Sequence, residues 1–211
     1  MGKTDKELLA LFHNPGTKKQ AFNLILRTYQ ERVYYHVRRI VINHDDANDV
    51  VQNTFIKAWK ALPNFRGDSK MYTWLYRIAT NESLNFLSKK RKHIFQNIDD
   101  INESLISKIE GIYFDGDKIE TKLQKAILTL PYKQRIVFNM RYYDEIKYEE
   151  MAKILDTSEG ALKASYHHAR KKIEEYLMPF TNTLNDKKIR YKIDDRLTFS
   201  PGYKFNEWEM K

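Results

Sequence analysis

The stretch YEEMAKILDTSEGALKASYHHARKKI, from Tyr148 to Ile173, carries two amphipathic patterns separated by a short polar break. The first repeats apolar side chains at the i, i+3, i+4 and i+7 spacing of one buried helical stripe: Tyr148, Met151, Ala152 and Leu155. The second pattern is longer and also keeps its apolar side chains on one face: Leu162, Tyr166, Ala169, Ile173 and Leu177. The spacing therefore predicts two consecutive helices, each with a single apolar face.

The break between these helices has the chemistry of a tight turn. Asp156 can adopt the left-handed conformation that often ends a helix, and Ser158 is a favourable N-cap for a helix that begins at Glu159. Basic side chains lie on the other faces of the second helix. A short helix, a tight turn and a longer basic helix form the pattern of a DNA-binding helix-turn-helix. An ordinary helical hairpin with solvated lysines is the alternative.

The composition limits the class of protein. The chain has 211 residues, 42% of them hydrophobic, and no cysteine, so it can bury a core but can form neither a disulfide nor a thiolate zinc site. No apolar run approaches the ~18 residues that span a membrane, and no signal-peptide pattern is present. We therefore expect a cytoplasmic protein without direct membrane insertion.

The charge is unevenly distributed along the chain. Residues 1–93 contain 17 lysines and arginines against 8 acids, whereas residues 94–120 contain 2 against 7. The overall charge is +9. Basic charge concentrated on folded blocks is typical of a protein that binds a polyanion such as nucleic acid, although soluble proteins without that function also carry such an excess.

The patterns upstream of the helix-turn-helix also predict helices. One covers residues 21–41, and a second begins after a cap at Asp45 or Asp46 and runs to about Leu62, where Pro63 stops it. A polar loop over residues 64–70 then leads into a helix over residues 71–92. Further helices are expected over residues 121–130 and after Pro131, which suits a first helical turn.

The predicted fold class is all-α, with two small helical domains joined by a linker. We place a first domain at residues 1–93, an acidic linker at 94–120 and a second domain at 121–178. Residues 179–211 form a C-terminal extension of unknown role, in which a short β-hairpin and a disordered tail are both compatible with the β-leaning residues and the turn at Ser200-Pro201-Gly202.

A metal-dependent enzyme is disfavoured by the placement of the histidines. His167 and His168 are adjacent on a predicted helix, so their side chains point ~100° apart and cannot readily chelate one ion together. The run His44-Asp45-Asp46 is the other imaginable ligand set, and no HExxH-type site or glycine-rich phosphate loop accompanies it. We predict no catalytic residue, no metal and no cofactor.

Two long segments resemble a known family. Asp46–Lys92, DANDVVQNTFIKAWKALPNFRGDSKMYTWLYRIATNESLNFLSKKRK, resembles the second conserved region of the sigma-70 transcription initiation factors, in their extracytoplasmic-function type. Leu130–Ile173, which contains the helix-turn-helix, resembles the fourth region of that family. The resemblance covers roughly residues 20–178 in the family's order. It implies a dissociable subunit of bacterial RNA polymerase that brings the core enzyme to promoters, and it makes an anti-sigma factor a candidate partner.

The resemblance also implies roles for individual residues. Core polymerase would dock on the outward face of the second predicted helix, at Asp49, Gln52 and Asn53, for which a merely solvated face is the alternative. The loop over residues 64–70 and the helix after it would melt and read the −10 promoter element. Stacked aromatic rings and cations suit that task, although Trp74 is also a candidate core residue and the lysine run also suits a solvated helix end. The −10 set is Arg66, Lys70, Tyr72, Trp74, Arg77, Asn81, Lys89, Lys90, Arg91 and Lys92.

The second helix of the helix-turn-helix would lie in the major groove of the −35 element. Its leading face carries Lys163, Ala164, His167, His168 and Lys171. Lysine can donate to guanine O6 and N7, whereas alanine can only touch a thymine methyl. A stand-alone helix-turn-helix regulator that binds duplex operators is the alternative function, and it leaves residues 1–93 without a role.

Overall fold

A computed structural model describes residues 3–94 and 118–181, and the regular secondary structure in those ranges is entirely helical. The predicted all-α class is confirmed. None of the helices in these ranges has both the length and the apolarity needed to cross a membrane. In chain order the elements are α1 (Asp5–His13), α2 (Lys18–Val41), α3 (His44–Ala61), a 3₁₀ turn (Leu62–Asn64), α4 (Met71–Ile94), α5 (Lys118–Leu128), α6 (Tyr132–Tyr142), α7 (Tyr148–Leu155) and α8 (Glu159–Thr181).

Helix α2 is the centre of the N-terminal group of helices, α1–α4. It packs against α1, α3 and α4, and its apolar stripe is buried by them. Side chains such as Ile25, Val33 and Val37 are almost completely inaccessible to solvent. This packing places α3 and α4 side by side and leaves an exposed face on each of them.

Helix α1 was not predicted from the sequence, although its start carries a local signal. Thr4 is the N-cap: the Glu7 N–H donates to the Thr4 hydroxyl at 3.3 Å, and the Thr4 N–H donates to the Glu7 carboxylate at 2.6 Å. Such a reciprocal capping box satisfies two of the backbone donors that a helix start leaves free. The Thr4 N–H and the Thr4 hydroxyl both donate to the Glu7 carboxylate, and these two hydrogen bonds lower the pKa of Glu7. Leu8 and Phe12 then bury the apolar face of α1.

The cap of α3 differs from the prediction. We expected Asp45 or Asp46 to cap this helix, but Asn43 does so, accepting a hydrogen bond from the Asp46 N–H at 3.0 Å. The residue before it, Ile42, has φ 69° and ψ −38°, and the Asn43 N–H donates to the Val41 carbonyl at 2.9 Å. This is a γ-turn of the strained type, which costs about 1–3 kcal/mol. The turn lets α3 begin within three residues of the end of α2, and the two aspartates instead supply negative charge to its first turn.

The C-terminal group, α5–α8, contains the predicted helix-turn-helix. Asp156 ends α7 in the left-handed conformation, with φ 50° and ψ 53°, and the Ser158 hydroxyl accepts from the Ala161 N–H at 3.3 Å. Helix α8 begins at Glu159, as predicted, and packs against α5, α6 and α7. Four of its five predicted apolar positions are buried and Tyr166 is half-buried. The local signals in the sequence were therefore sufficient to define this motif.

The two groups of helices are in direct contact, which the sequence does not predict. Helix α7 packs against α4, and α6 packs against α2. One cluster of buried apolar side chains runs from the N-terminal group into α6 and α7, where it includes Met140, Met151 and Ile154. The division into domains stays a prediction. Most of the predicted linker and the possible hairpin of the tail lie outside the described residues.

Candidate nucleic-acid interface

The three residues predicted to contact polymerase share an exposed face of α3. Asp49, Gln52 and Asn53 are exposed, whereas Val50, Phe55 and Ala58 on the opposite face are buried. The next turn of the same exposed face carries Ile56, whose side chain is 46% exposed. Ile56 was not predicted as a site residue, although its position one turn beyond Gln52 and Asn53, off the buried stripe, is a usable signal. The face therefore combines polar groups with one large apolar side chain.

The loop between α3 and α4 forms a surface pocket of about 470 Å³. Its walls include Asn64, Phe65, Arg66 and Trp74. The rings of Phe65 and Trp74 are stacked, with centroids 4.8 Å apart and an interplanar angle of 28°. Trp74 is half-buried, so it both packs against the protein and lines the pocket. Phe65 was not predicted as a site residue, although an aromatic residue beside Arg66 in a polar loop is a usable signal.

Helix α1 contacts both the end and the tip of this loop. The carboxylate of Asp5 accepts two hydrogen bonds, from the Met71 N–H at 2.8 Å and from the Tyr29 hydroxyl at 2.6 Å. Asp5 thus caps the first turn of α4 from another helix. Burial and the Asp5 carboxylate raise the pKa of Tyr29, so its hydroxyl stays a donor. Gly67, at the tip of the loop, has φ +80°, a conformation that favours glycine, and the Leu9 side chain of α1 lies 3.6 Å from the position a Cβ would take.

Replacing Asp5 with alanine should destabilise the protein and loosen the loop. The change leaves the Met71 N–H and the Tyr29 hydroxyl without their acceptor, and hydrogen bonds to charged groups contribute about 1.5–3 kcal/mol each. We expect the free energy of unfolding, measured by urea denaturation, to fall by roughly 2 kcal/mol. The Asp5→Asn variant keeps an acceptor oxygen and should lose less. An unchanged urea midpoint in Asp5→Ala would contradict this role.

The remaining predicted −10 residues follow along α4. Arg77 and Asn81 are exposed on consecutive turns, and Lys89 and Lys90 are exposed near the end of the helix. Lys90 also forms an ion pair with Asp46 at 2.5 Å, which connects the ends of α4 and α3. Arg91 and Lys92 belong to α4, but their side chains lie outside the described part of the chain.

Two of the predicted −10 residues are engaged by the other group of helices. Glu150 on α7 accepts from the Lys70 ammonium at 2.8 Å and from the Tyr72 hydroxyl. Partial burial favours the neutral form of the Glu150 carboxyl, but these two hydrogen bonds outweigh it and lower the pKa of Glu150. Its hydrogen bond and charge raise the pKa of Lys70. Glu150 is therefore a carboxylate bound between a cation and a phenol.

The predicted −35 face of α8 is open to solvent. Lys163, Ala164, His167, His168 and Lys171 are all exposed. Their nearest ionic partners are on the same helix: Lys163 lies 3.3 Å from Glu159, and Lys171 lies 3.9 Å from Glu175. Such exposed pairs contribute little to stability, so these lysines can exchange partners at low cost.

The metal-ligand hypothesis for the histidines can be compared with their geometry. The rings of His167 and His168 have centroids 5.9 Å apart and are inclined at 64°. Within residues 3–94 and 118–181, no three histidine or acidic side chains gather in a group that could hold a metal ion. The histidine of the other imaginable ligand set, His44, is paired with the Tyr34 hydroxyl at 2.6 Å and the Asn48 side chain at 3.1 Å.

Comparison with protein families assigns both groups of helices. Residues 25–93 match the family model described as Sigma-70 region 2, and residues 120–173 match the one described as Sigma-70, region 4. The first match covers α3, the loop pocket and the exposed face of α4. The second covers the helix-turn-helix, including the exposed part of α8 that carries Lys163 and His167.

Known proteins show the same relationship over most of the chain. The sequence is 35% identical to the ECF RNA polymerase sigma-E factor of Escherichia coli and 31% identical to the RNA polymerase sigma-H factor of Pseudomonas aeruginosa, each match covering 76% of this chain and 88% of the relative. Two solved structures share the fold at 22% identity. The sigma factor RpoE of Bartonella quintana, crystallised with the anti-sigma factor NepR, has a TM-score of 0.59, with 74% of this chain and 96% of that chain covered. CnrH, in complex with the cytosolic domain of CnrY, has a TM-score of 0.61, with coverages of 84% and 99%.

Proposed function

The chain belongs to the sigma-70 family of RNA polymerase sigma factors, among the members of extracytoplasmic-function type, and from this premise we propose how its surfaces direct initiation. It binds core RNA polymerase and brings it to promoters. There it binds the −35 element as duplex DNA and opens the strands of the −10 element. The observation that carries this assignment is the presence of both family regions, in order, on one chain. Their exposed basic faces, on α4 and α8, support it.

The −10 step is assigned to the loop pocket and the exposed face of α4. Opening a duplex costs a few kcal/mol per unstacked base, and that cost must be offset by capturing the released bases. The stacked rings of Phe65 and Trp74 provide a wall on which a base can lie, and Arg66 provides a cation beside it. Base stacking on an aromatic ring contributes ~1–3 kcal/mol. Arg77 and Asn81 extend this surface along α4 and can contact the phosphates and base edges of the same strand.

The −35 step is assigned to α8. The major groove admits an α-helix, and on the exposed face of α8 Lys163 and His167 lie one turn apart and can reach base edges while Lys171 contacts phosphate. Helix α7 packs against α8, and Lys153 on α7 and Lys147 just before it are exposed and can contact the phosphate backbone. This geometry supports docking in the groove, and the bases that are read depend on the promoter.

The partners follow from the same assignment. Core polymerase docks on the α3 face of Asp49, Gln52, Asn53 and Ile56, and catalysis of RNA synthesis belongs to the polymerase. As a sigma factor the chain is a regulatory protein, and we assign it no catalytic residue. Polymerase and promoter DNA imply a cytoplasmic location. The two structural neighbours were solved with NepR and CnrY, and we propose a regulator of that anti-sigma class for this chain.

The decisive experiment is run-off transcription from genomic fragments with purified core polymerase. Addition of the protein should produce discrete transcripts that core polymerase alone does not make. A stand-alone helix-turn-helix regulator would instead bind duplex DNA tightly without polymerase and would produce no new start sites. That result would contradict the proposed function. The family assignment and the exposed α3 face favour the sigma factor over this alternative.

The lysines at the end of α4 should make promoter binding sensitive to salt without choosing the promoter. Each phosphate contact that is lost should reduce the slope of log K against log salt by about 0.7–0.9. We therefore expect the Lys89→Ala/Lys90→Ala holoenzyme to show a flatter salt dependence in gel-shift titrations and an unchanged order of preference among promoters. A changed order would place these lysines at base edges instead.

A further inference from the structure

The loop between α3 and α4, residues 64–70, has little hydrogen bonding of its own. Where it begins, the Phe65 N–H donates to the Leu62 carbonyl at 3.1 Å. Among the described residues, the backbone N–H and C=O groups of residues 66–69 take part in no hydrogen bond. A segment without internal hydrogen bonds has many accessible conformations, and fixing one of them costs entropy. The shape of the pocket that this loop forms must therefore be set by contacts from outside the loop.

Helix α1 supplies such contacts at the end and at the tip of the loop. One oxygen of the Asp5 carboxylate accepts from the Met71 N–H at 2.8 Å, at the first residue of α4, where the helix dipole also favours a negative charge. The other oxygen accepts from the Tyr29 hydroxyl at 2.6 Å, which fixes the orientation of the carboxylate. At the tip, the Leu9 side chain lies 3.6 Å from the position a Cβ would take on Gly67. Two successive turns of α1 thus reach the loop.

The same helix is also joined to α3, on the other side of the loop. Phe12 is buried, and its ring packs edge-on against Trp59, with centroids 5.5 Å apart. The Lys18 ammonium lies over both rings, 5.1 Å and 5.2 Å from their centroids. Helix α1 therefore contacts α3 before the loop, through Phe12, and α4 after it, through Asp5. It connects the two helices whose separation sets the span of the loop.

We propose that α1 is a positioning element for strand opening and that Asp5 is its main positioning residue. The inference rests on the proposed function of the loop pocket, and it assigns a role to a helix that lies outside both family matches, residues 25–93 and 120–173. Helix α1 holds the loop in the conformation in which the pocket is formed before DNA arrives. A pocket that is formed in only a fraction of the molecules binds a base with an apparent affinity reduced by that fraction. The helix thus acts on the capture of melted bases and not on the binding of closed promoter DNA.

The test compares changes at α1 with a change that lowers stability elsewhere. Asp5→Ala removes the acceptor of the Met71 N–H, whereas Asp5→Asn keeps one acceptor oxygen. Leu9→Ala removes the contact at the tip of the loop and provides a second variant should Asp5→Ala fail to fold. The control is Ile40→Ala, which shortens a buried side chain of α2 and should lower the urea midpoint as well. Ile40 lies 11 residues beyond Tyr29 on α2, or about 16 Å along that helix, away from the loop.

The position of the loop can be followed in the free, full-length protein by hydrogen exchange. The Met71 N–H loses its hydrogen bond to the carboxylate in Asp5→Ala, so NMR should show that it exchanges at least about tenfold faster than in the parent. Asp5→Asn should retain most of the protection. An unchanged exchange rate of this amide in Asp5→Ala would overturn the proposal, because Asp5 would then not hold the end of the loop.

Promoter opening is measured in the holoenzyme. We expect Asp5→Ala to lower permanganate reactivity at the −10 element about tenfold, as for a pocket that is formed in about one molecule in ten. Its binding to closed promoter DNA in gel-shift titrations should stay within about twofold of the parent. Asp5→Asn should lie between the parent and Asp5→Ala, and Leu9→Ala should also open the promoter poorly. Ile40→Ala should open it as the parent does, although its urea midpoint is lower.

A general loss of stability predicts a different result. Equal loss of opening in Asp5→Ala and Ile40→Ala would assign the effect to stability and overturn the proposal, and so would opening equal to the parent in Asp5→Ala. A loss of closed binding as large as the loss of opening would also overturn it. If the parent protein gave no run-off transcripts with core polymerase, the proposed function would be refuted instead. The exchange of the Met71 N–H would still decide whether Asp5 positions the loop.

Discussion

Holoenzyme carrying Arg77→Ala and Asn81→Ala should still bind closed promoter DNA but should open it poorly. Both side chains are exposed on α4, beyond the loop pocket, and neither belongs to the buried core. Their replacement removes contacts that form only after the strands separate. At ~1–3 kcal/mol per captured base, the loss corresponds to a decrease in opening of roughly tenfold to several hundredfold. Permanganate footprinting of unpaired thymines measures this step directly.

A template with a pre-opened bubble separates opening from recruitment. The cost of unstacking has already been met in such a template, so it should restore part of the transcription by the Arg77→Ala/Asn81→Ala holoenzyme. Lys19→Ala, which removes a cation from the exposed surface of α2, is the matched control and should behave as the parent.

The contrasting pair, Lys163→Ala and His167→Ala, should affect the earlier step. These residues lie on the exposed face of α8, and their loss should weaken closed-complex binding by roughly 1–3 kcal/mol per base contact removed. A bubble should give no selective rescue, because the −35 element remains duplex. If both double variants lost closed binding equally and neither were rescued by a bubble, the division of labour between α4 and α8 would be refuted.

The sequence was most informative where local chemistry determines structure. The left-handed residue at Asp156 and the cap at Ser158 were predictable because each acts on backbone groups within three residues of itself. The buried face of α8 and the exposure of the α3 and α8 faces followed from helical periodicity. For α7 the predicted stripe was only partly right: Met151 is buried, Tyr148, Ala152 and Leu155 are half-buried, and the other buried side chain is Ile154, which packs against the N-terminal group. The position of Trp74 could not be decided from periodicity, and in the structure it both packs against Phe65 and lines the pocket.

Contacts between distant segments were not predictable from the sequence. Glu150 meets Lys70, 80 positions away, and Asp144 meets Arg39, 105 positions away, so neither pair leaves a pattern in any local window. The cap that Asp5 provides to α4 also joins residues far apart in the sequence, because Asp5 accepts from the Met71 N–H. The strained turn at Ile42 runs against local propensity, because a β-branched residue is unfavourable at positive φ. Tertiary packing, and not local preference, determines these features.

Ile56→Asp should strongly reduce binding to core polymerase while leaving the protein folded. Ile56 is 46% exposed at the end of a polar face, which is the arrangement of an apolar anchor surrounded by groups that exclude water. Burying an isoleucine contributes about 1.5–3 kcal/mol, and a carboxylate at the same place would also be desolvated without a partner. We expect the affinity for core polymerase to fall by roughly 100-fold or more, or about 3 kcal/mol. Fluorescence anisotropy of the labelled protein, titrated with core enzyme, measures this change.

The control for Ile56→Asp is the same kind of substitution elsewhere. Met178→Asp introduces a carboxylate at a side chain that is 60% exposed on α8, far along the chain from the α3 face. It should leave core binding within about twofold of the parent, as expected for a change outside the interface. Core binding of Ile56→Asp equal to the parent would show that polymerase does not use this face.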